Sequence, residues 1–493
     1  MKRLSTFLVL LLSTVVALLT FNVRSALTAE SQNMALVGTN DLQSRSTYQP
    51  VVQRQGNKWI LYAGHHALGT NPVTGAPLPS LNPLTGKNEP NGTSIVDVTD
   101  PAHPVYLAHI PVGTTGNGGS QMNRVCPGSS LPIKNNKYYL LRSYANTAHE
   151  IWDVTDPSHP VGVRTVAGSN PVIGNLTGTH KSWWECDSGI AYIVGRRTND
   201  DPKWRPGNHI MIFDLKDPAN PVFIRDWALN GQQDNTIPLP YGFTEIPSIH
   251  GPISTGPAGN RVYFAYGTGS NGVMQIVDRQ KLLTSKPDDF ITAEVGRWVM
   301  NPINGAHTSF PLGTFSIPDW APNEEGVERS FVAVTSEETD NECTGPRHLT
   351  YFVDVTDETR PQSQSNFQVL ASSSPFNFCE RGGRFGPHST NENFGAPFYQ
   401  KLVFIAYFAA GVRAVDIRDP FRPREVGFYI PDATANTDLR CATIEGVIDC
   451  PPSIQTNNVE TDERGFIYIV DRANTGLHIL QTTGAARRII EEK

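Results

Sequence analysis

Four histidines occupy the same place in successive copies of a repeated sequence pattern. They are His180, His250, His307 and His388, in the segments GTHK, SIHG, GAHT and GPHS, and Asn457 takes the matching place in the last copy. Imidazole is the commonest metal-binding side chain and changes charge near neutral pH. Four imidazoles that enter one space from successive repeats could hold a transition metal, with copper favoured and zinc or iron as alternatives. We therefore predict these four histidines as metal ligands.

Charged residues accompany the histidines. Glu392 follows His388 by four residues, and an even spacing along a strand keeps both side chains on one face. We predict that Glu392 orients a ligand or shuttles protons, and that Arg196 or its neighbour Arg197 holds an anionic substrate. The ends of the following strands should return to the same face and form a ring of polar groups typical of a ligand site. This ring comprises His65-His66, Arg196-Arg197, Glu337-Glu338 and Asp471-Arg472.

A longer repeat must position these groups. A hydrophobic strand that ends in Asp, then a turn and a second strand, recurs at 94–104, 150–160, 211–221, 351–361 and 413–423. In the Asp-Pro turn, the aspartate side chain can bond the backbone amide two residues on, and proline presets the turn angle. Residues 275–279 lack this corner, so the outer hairpin of the fourth unit is the least regular.

The repeat also predicts the architecture. One strand-like segment precedes each copy and a shorter one precedes that, which makes four strands in each of seven units spaced roughly 56 to 76 residues apart. Four-stranded units repeated radially form a β-propeller. The last unit stops one strand short, and 34–39 is a lone strand that could complete it and remove an exposed edge. We predict an all-β, seven-bladed propeller over residues 30–493, with the N-terminal strand closing the last blade.

The N-terminus indicates export. Residues 1–29 combine a basic start, an apolar run over 7–21 and small residues at Ala26 and Ala29, a pattern typical of a secretory signal peptide. Its removal leaves 37 basic and 47 acidic residues, a net charge of −10, which argues against a nucleic-acid partner. No later apolar run is long enough to span a membrane. We predict a periplasmic or secreted protein.

The six cysteines agree with an oxidising compartment. An even number suggests disulfides, although six cysteines allow 15 pairings. Cys441 with Cys450, which enclose a short polar loop, is the best-supported pair. Cys343 with Cys379 is plausible, and Cys126 with Cys186 then remain. No C-x-x-C occurs, so neither a zinc ribbon nor a thioredoxin-like motif is supported.

The repeat units resemble two known families. SIVDVTDP, EIWDVTDP, YFVDVTDE and RAVDIRDP resemble the LVIVD-repeat family of secreted bacterial β-propellers over nearly the whole mature chain. That resemblance implies the fold and export but no common chemistry. The His65-His66 pair after an early strand is similar to the selenium-binding protein and methanethiol oxidase family. This second resemblance implies copper held by histidines and oxidation of a small thiol.

Two functions follow from these observations. The first is an exported metal-dependent oxidoreductase that acts on a small molecule. The second is a non-catalytic propeller that binds a protein or polysaccharide of the cell envelope. Repetition of the histidines fits both functions, because an imidazole can also bond a carbonyl of the next blade as a structural spacer. The substrate and the oligomeric state stay open at the level of the sequence.

Overall fold

The structure is a computed structural model that describes residues 29–67, 81–113, 119–167, 173–239, 243–317, 327–341, 343–371, 377–444 and 446–492. The predicted signal peptide, 1–29, lies outside the described residues apart from Ala29. Within these ranges, none of the helices has the length and apolar character needed to cross a membrane.

Seven antiparallel sheets form the blades of a β-propeller, numbered here in chain order. The innermost strands of blades 1 to 7 are Thr47–Gln55, Asn123–Pro127, Ser182–Trp184, Ile249–Ser254, Ala306–Ser316, Ser389–Thr390 and Thr456–Thr461. The second strands are Lys58–His65, Tyr138–Tyr144, Ile190–Arg197, Arg261–Tyr266, Glu328–Ser336, Leu402–Ala406 and Phe466–Asp471. The third strands are Gly92–Asp97, Ala148–Asp153, His209–Asp214, Val273–Asp278, Thr350–Asp354, Val412–Asp416 and Leu477–Thr482. The outermost strands are Val105–Pro111, Val161–Ala167, Val222–Trp227, Glu294–Val299, Gln362–Phe367, Arg424–Ile430 and, for blade 7, Met34–Asn40.

The repeated aspartates form the corner between the third and outermost strands. In blade 1, Asp97 accepts a hydrogen bond from the amide of Thr99 at 3.0 Å, and Asp100 accepts one from the amide of Ala102 at 3.0 Å. The same pair of bonds recurs in blades 2, 3, 5 and 6. These local bonds fix the turn and satisfy its backbone amides. In blade 4, Asp278 instead caps the short helix Arg279–Thr284.

The N-terminal segment closes the ring, which confirms the prediction. Met34–Asn40 pairs antiparallel with Leu477–Thr482 as the outermost strand of blade 7. The preceding strand, Glu30–Gln32, adds to the edge of blade 6 by pairing with Arg424–Ile430. Each innermost strand contacts that of the next blade, and the last contacts the first. The seven blades therefore form a closed ring.

Apolar side chains fill the spaces between neighbouring blades. Ile60 and Tyr62 of blade 1, for example, pack in one buried cluster with Val125 and Leu140 of blade 2. The helix Gly484–Glu491 packs Ala486 and other apolar residues against blades 6 and 7. Because the hydrophobic core lies between the blades, the central channel is left to polar and aromatic side chains.

All three predicted disulfides are present. Cys126 pairs with Cys186, Cys343 with Cys379, and Cys441 with Cys450. The last pair brackets the small hairpin formed by Ala442–Ile444 and Val447–Asp449. The remaining short elements are Leu42–Ser44, Leu81–Asn82, Lys87–Asn88, Leu176–Thr177, Gly256–Gly259 and Phe378–Arg381.

Candidate metal centre in the channel

The four histidines of the repeat converge on Tyr48. The Tyr48 hydroxyl lies 2.9 Å from His307 Nε2 and 3.3 Å from His250 Nε2. It lies 3.4 Å from His180 Nε2, and the His388 ring packs edge-on against the Tyr48 ring at 5.1 Å between centroids. The imidazoles also contact one another, with the His250 and His307 rings stacked at 3.7 Å. One compact cluster therefore gathers side chains from blades 1, 3, 4, 5 and 6.

Backbone carbonyls of neighbouring blades orient two of these rings. His250 Nδ1 lies 2.7 Å from the carbonyl oxygen of His307, and His388 Nδ1 lies 2.5 Å from that of Asn457. A carbonyl can only accept, so Nδ1 carries the proton in both rings and a neutral ring keeps a lone pair on Nε2. Metal-ligating histidines are oriented by this kind of bond. A purely structural histidine would make the same bond to the carbonyl of the next blade. Here that bond also directs Nε2 into the channel.

The surroundings keep the imidazoles neutral. Burial lowers the pKa of His180 to about 3, and the charge of Lys181 contributes to this shift. Burial, together with neighbouring imidazoles or arginines, lowers the pKa of His250, His307 and His388 well below 6.5. Burial also raises the pKa of Tyr48 well above 10, so its phenol stays protonated. At neutral pH the cluster therefore offers neutral nitrogen ligands.

Glu337 supplies a carboxylate to two of the histidines. Its oxygens lie 3.9 Å from His307 Nε2 and 3.6 Å from His388 Nε2, and one ligand atom from each of the three side chains lies within 4.8 Å of the others. Arg384 donates to Glu337 at 2.9 Å. Burial raises the pKa of Glu337, while Arg384 and Arg472 oppose that rise. Among the residues that the structure describes, none forms a hydrogen bond with the buried Nε2 atom of His388.

The cluster opens toward one end of the channel. His307 and His388 are fully buried, whereas His66 and His180 are only partly buried. The His66 ring packs against Tyr48 at 4.8 Å between centroids. Its buried Nε2 has no hydrogen-bond partner in the described part of the chain. A small molecule that enters from this side would meet His66 and His180 first.

Glu392 lies in a separate layer of buried charges. It accepts hydrogen bonds from Arg124 and Lys181, and Gln49 donates to it at 3.2 Å. The pKa of Glu392 is shifted upward by burial but is lowered overall by Lys181 and Arg124. Both cations are nearly buried as well. Because the cluster joins side chains from blades 1, 2, 3 and 6, it forms a polar layer across the channel.

Aromatic side chains form a third layer beyond the ion cluster. Arg124 lies over the Trp183 ring at 4.6 Å, and Trp183 packs edge-on against Phe394. Phe394 in turn packs against Phe310 and Tyr399. The channel therefore contains a histidine layer, an ionic layer and an aromatic layer in succession.

The structure places the residues singled out in the sequence at three locations. His180, His250, His307 and His388 come together, and His66, Glu337 and Arg472 of the charged ring lie beside them. Glu392 belongs to the ionic layer. Arg196 is partly buried at the end of the second strand of blade 3, where its backbone pairs with Thr177.

The histidine pattern of the sequence does not include Tyr48. It is the second residue of its innermost strand, and His250 and His307 are the second residues of theirs. Aligning the strand starts of all seven units would therefore have found Tyr48. The sequence indicates Glu337 only as a member of the charged ring, because its approach to His307 and His388 depends on how blades 5 and 6 pack together.

Comparisons with known proteins concern the fold alone. No family model matches the chain, and no curated protein sequence matches it. The β-propeller domain of Cps50 (Swd1) from Myceliophteria thermophila has a TM-score of 0.46 at 10% identity, over 91% of this chain and 100% of that chain. A protein from Lactobacillus plantarum has a TM-score of 0.37 at 11% identity, over 69% and 73% of the two chains. A puromycin-hydrolyzing peptidase from Mycobacterium tuberculosis has a TM-score of 0.37 at 10% identity, over 91% and 56%.

Proposed function

We propose that the protein is an exported β-propeller that binds a transition metal ion in its channel and serves as an oxidoreductase for a small molecule. The observation that carries this proposal is the grouping of His307, Glu337 and His388, whose ligand atoms lie within 4.8 Å of one another. The orphan Nε2 atom of His388 supports it, because a buried nitrogen without a partner costs free energy that a ligand would recover.

The spacing of these atoms fits coordination by one ion. Ligand atoms about 2.0 Å from a tetrahedral metal lie about 3.3 Å from one another. The distances from Glu337 to His388 and His307 are 3.6 and 3.9 Å, and Tyr48 lies 2.9 Å from His307. Small side-chain movements would bring these donors into ligand range. Tyr48 and His250 are placed to complete the set.

The donor types narrow the choice of metal. Imidazoles with one carboxylate suit copper, zinc and iron, and divalent copper binds such ligands most tightly in the first transition row. We therefore favour copper, which would supply one-electron redox chemistry to the site. The two-histidine, one-carboxylate set is also typical of non-haem iron(II) centres, which makes iron the second candidate.

The chain's own residues prepare the site for this chemistry. The carbonyl bonds to His250 and His388 hold the rings in one tautomer, and Arg384 fixes the Glu337 carboxylate at 2.9 Å. Tyr48 can hold a proton close to His307, its nearest imidazole neighbour. The ionic layer around Glu392 and the aromatic layer limit water access from the far end of the channel.

Export to the periplasm or the cell exterior, and membership of the LVIVD-repeat family, belong to the same proposal. Three disulfides fit an oxidising compartment. The Asp-Pro repeats and the leader pattern of residues 1–29 support family membership and export.

Metal titration of variants tests the proposal. The protein is exported into the periplasm of a bacterial host, stripped with a chelator and titrated with Cu(II), and electron paramagnetic resonance detects nitrogen coupling from bound imidazoles. We expect about one tightly bound ion per chain. H388A or E337Q should weaken binding at least about tenfold, because loss of a residue that only supports a metal ligand already costs about 10–100-fold.

The matched control is His478→Gln. His478 is also a buried histidine, in the third strand of blade 7, but it lies outside the cluster. We expect H478Q to bind Cu(II) as the parent does. Equal affinity in the parent and in H388A, or binding lost equally in H478Q, would overturn the proposal.

A further inference from the structure

Arg472 carries a charge that the protein does not neutralise directly. It follows the second strand of blade 7 and is partly buried at the open end of the histidine cluster. Among the described residues, its guanidinium makes no ion pair and donates no hydrogen bond; its one marked contact is the face of Phe408, at 5.9 Å. The guanidinium is therefore partly buried, and its five donors are left for a group that enters from this end of the channel.

The nearest carboxylates are engaged elsewhere. Asp471, the preceding residue, turns its carboxylate onto the backbone amides of Gln455 and Ala473 at 2.5 and 2.6 Å. Glu337 accepts from Arg384 and faces the imidazoles. Neither carboxylate therefore pairs with Arg472.

A second guanidinium stands beside the first. Arg384 lies 5.5 Å from the centroid of the same Phe408 ring, and that ring packs 5.2 Å from the His388 ring. Burial and repulsion from Arg384 lower the pKa of Arg472 to about 10. The charge of Arg472 also contributes to the lowered pKa of His66, His180 and His388. The open end of the cluster is therefore electropositive.

We propose that Arg472, assisted by Arg384, forms a subsite for the carboxylate group of a small anionic molecule at the open end of the histidine cluster. Glu337 accepts from Arg384 but makes no ion pair with Arg472, so the guanidinium of Arg472 is left for a monoanion. The planar fork of an arginine matches a carboxylate, and hydrogen bonds between charged partners are the strong ones. The Phe408 ring lies against both guanidinium groups and beside the His388 ring.

This inference deepens the proposed function by naming the substrate class, and it rests on that function only for the reaction that follows binding. A carboxylate held by Arg472 would place the rest of a small acid beside His66 and His388. The sequence had instead assigned the anion to Arg196 or Arg197. Arg197, however, is already paired with Asp226 at 2.9 Å.

Acetate binding to the metal-free protein tests the subsite separately from the metal. Calorimetric titration with acetate at constant ionic strength should give saturable binding, and R472Q should weaken it at least about tenfold, as expected for the loss of a charge-assisted bond. R472K, which keeps the charge but not the fork, should be intermediate. Acetate should also protect Arg472 from phenylglyoxal, as read by site-resolved mass spectrometry.

Two further variants decide between the alternatives. Arg54 is an exposed arginine in a surface ion pair, and R54Q should bind acetate as the parent does. Equal acetate affinity in R472Q and in the parent, or a loss confined to R196Q, would overturn the inference.

Cu(II) binding by R472Q separates this inference from the proposed function. Retained Cu(II) binding with lost acetate binding supports the subsite. Acetate binding that depends on Arg472 in a chain that binds no metal would refute the proposed function and leave the subsite standing. Metal binding without acetate binding in the parent would refute the subsite alone.

Discussion

Replacement of Glu392 by glutamine would leave two buried cations without their shared counter-charge. The Glu392 side chain is 2% exposed, and its partners Lys181 and Arg124 are 1% and 11% exposed. Breaking a buried ion pair by removing one partner costs about 3–5 kcal/mol. The free-energy cost of leaving Lys181 charged and unpaired has an upper limit, because its amine can release the proton instead. From its ordinary pKa of 10.5, release at pH 7 costs about 5 kcal/mol.

The pH dependence of this loss has a definite sign. When Lys181 is neutral in the folded variant and charged in the unfolded chain, the unfolded chain binds the additional proton, so the variant gains stability as pH rises. At pH 9 the cost of proton release falls to about 2 kcal/mol. The difference in unfolding free energy between parent and variant should therefore shrink by about 3 kcal/mol from pH 7 to pH 9.

Glu460 could compensate for the lost charge and must be replaced in both proteins that are compared. Burial raises the pKa of Glu460 to about 8, helped by repulsion from Glu392, so that carboxyl is largely protonated at pH 7. In the variant it could ionise and replace the lost charge. The substitution is therefore made in an E460Q background, and urea unfolding is followed by tryptophan fluorescence at both pH values.

The control replaces a glutamate in an exposed ion pair. Glu463 lies 3.8 Å from Arg54, and both side chains are more than 60% exposed. E463Q should cost less than about 1 kcal/mol at either pH. A loss below about 1 kcal/mol for E392Q at pH 7, or an equal loss at pH 7 and pH 9, would refute the reasoning.

Three further predictions concern stability. Deletion of residues 30–40 should lower the melting temperature because it uncovers the edges of blades 6 and 7, and an unchanged melt would contradict the closure. The Cys126–Cys186 disulfide spans 60 residues and Cys441–Cys450 spans 9. In urea unfolding, loss of the first should therefore cost about 1.7 kcal/mol more than loss of the second. Equal costs would contradict the loop-entropy argument. The raised pKa of Glu460 makes the parent lose stability as pH rises from 5 to 8, so E460Q alone should gain stability relative to the parent over that range. A pH-independent difference in urea midpoint would contradict this prediction.

The fold was predictable because its defining interactions are local. Asp97 and Asp100 form their corner with amides two residues away, and each repeat carries the same letters for the same corner. Once one corner is recognised, the spacing of the others gives the number of blades. Ring closure followed from counting strands, since the last blade lacked one.

Residues of the candidate site were predictable only where their position along a single strand determines their place in the channel. His250 and His307 were found because a shared register puts them at the same depth. Glu392 follows His388 by four residues, which at about 3.3 Å per residue is about 13 Å along an extended chain. Its even spacing predicted the face of the strand but not the depth, and Glu392 lies with Lys181. The contact of Glu337 with the histidines depends on the packing of two blades, which no local pattern encodes.

The central claim is that the histidine cluster binds a metal ion, and anomalous X-ray diffraction tests it most directly. Crystals of the exported protein grown with Cu(II) would be measured on both sides of the copper absorption edge. We predict one strong peak about 2.0–2.2 Å from His307 Nε2, His388 Nε2 and a Glu337 oxygen. Copper found only at the exposed histidines, such as His103 beside Asp100, with no peak in the channel, would contradict the claim.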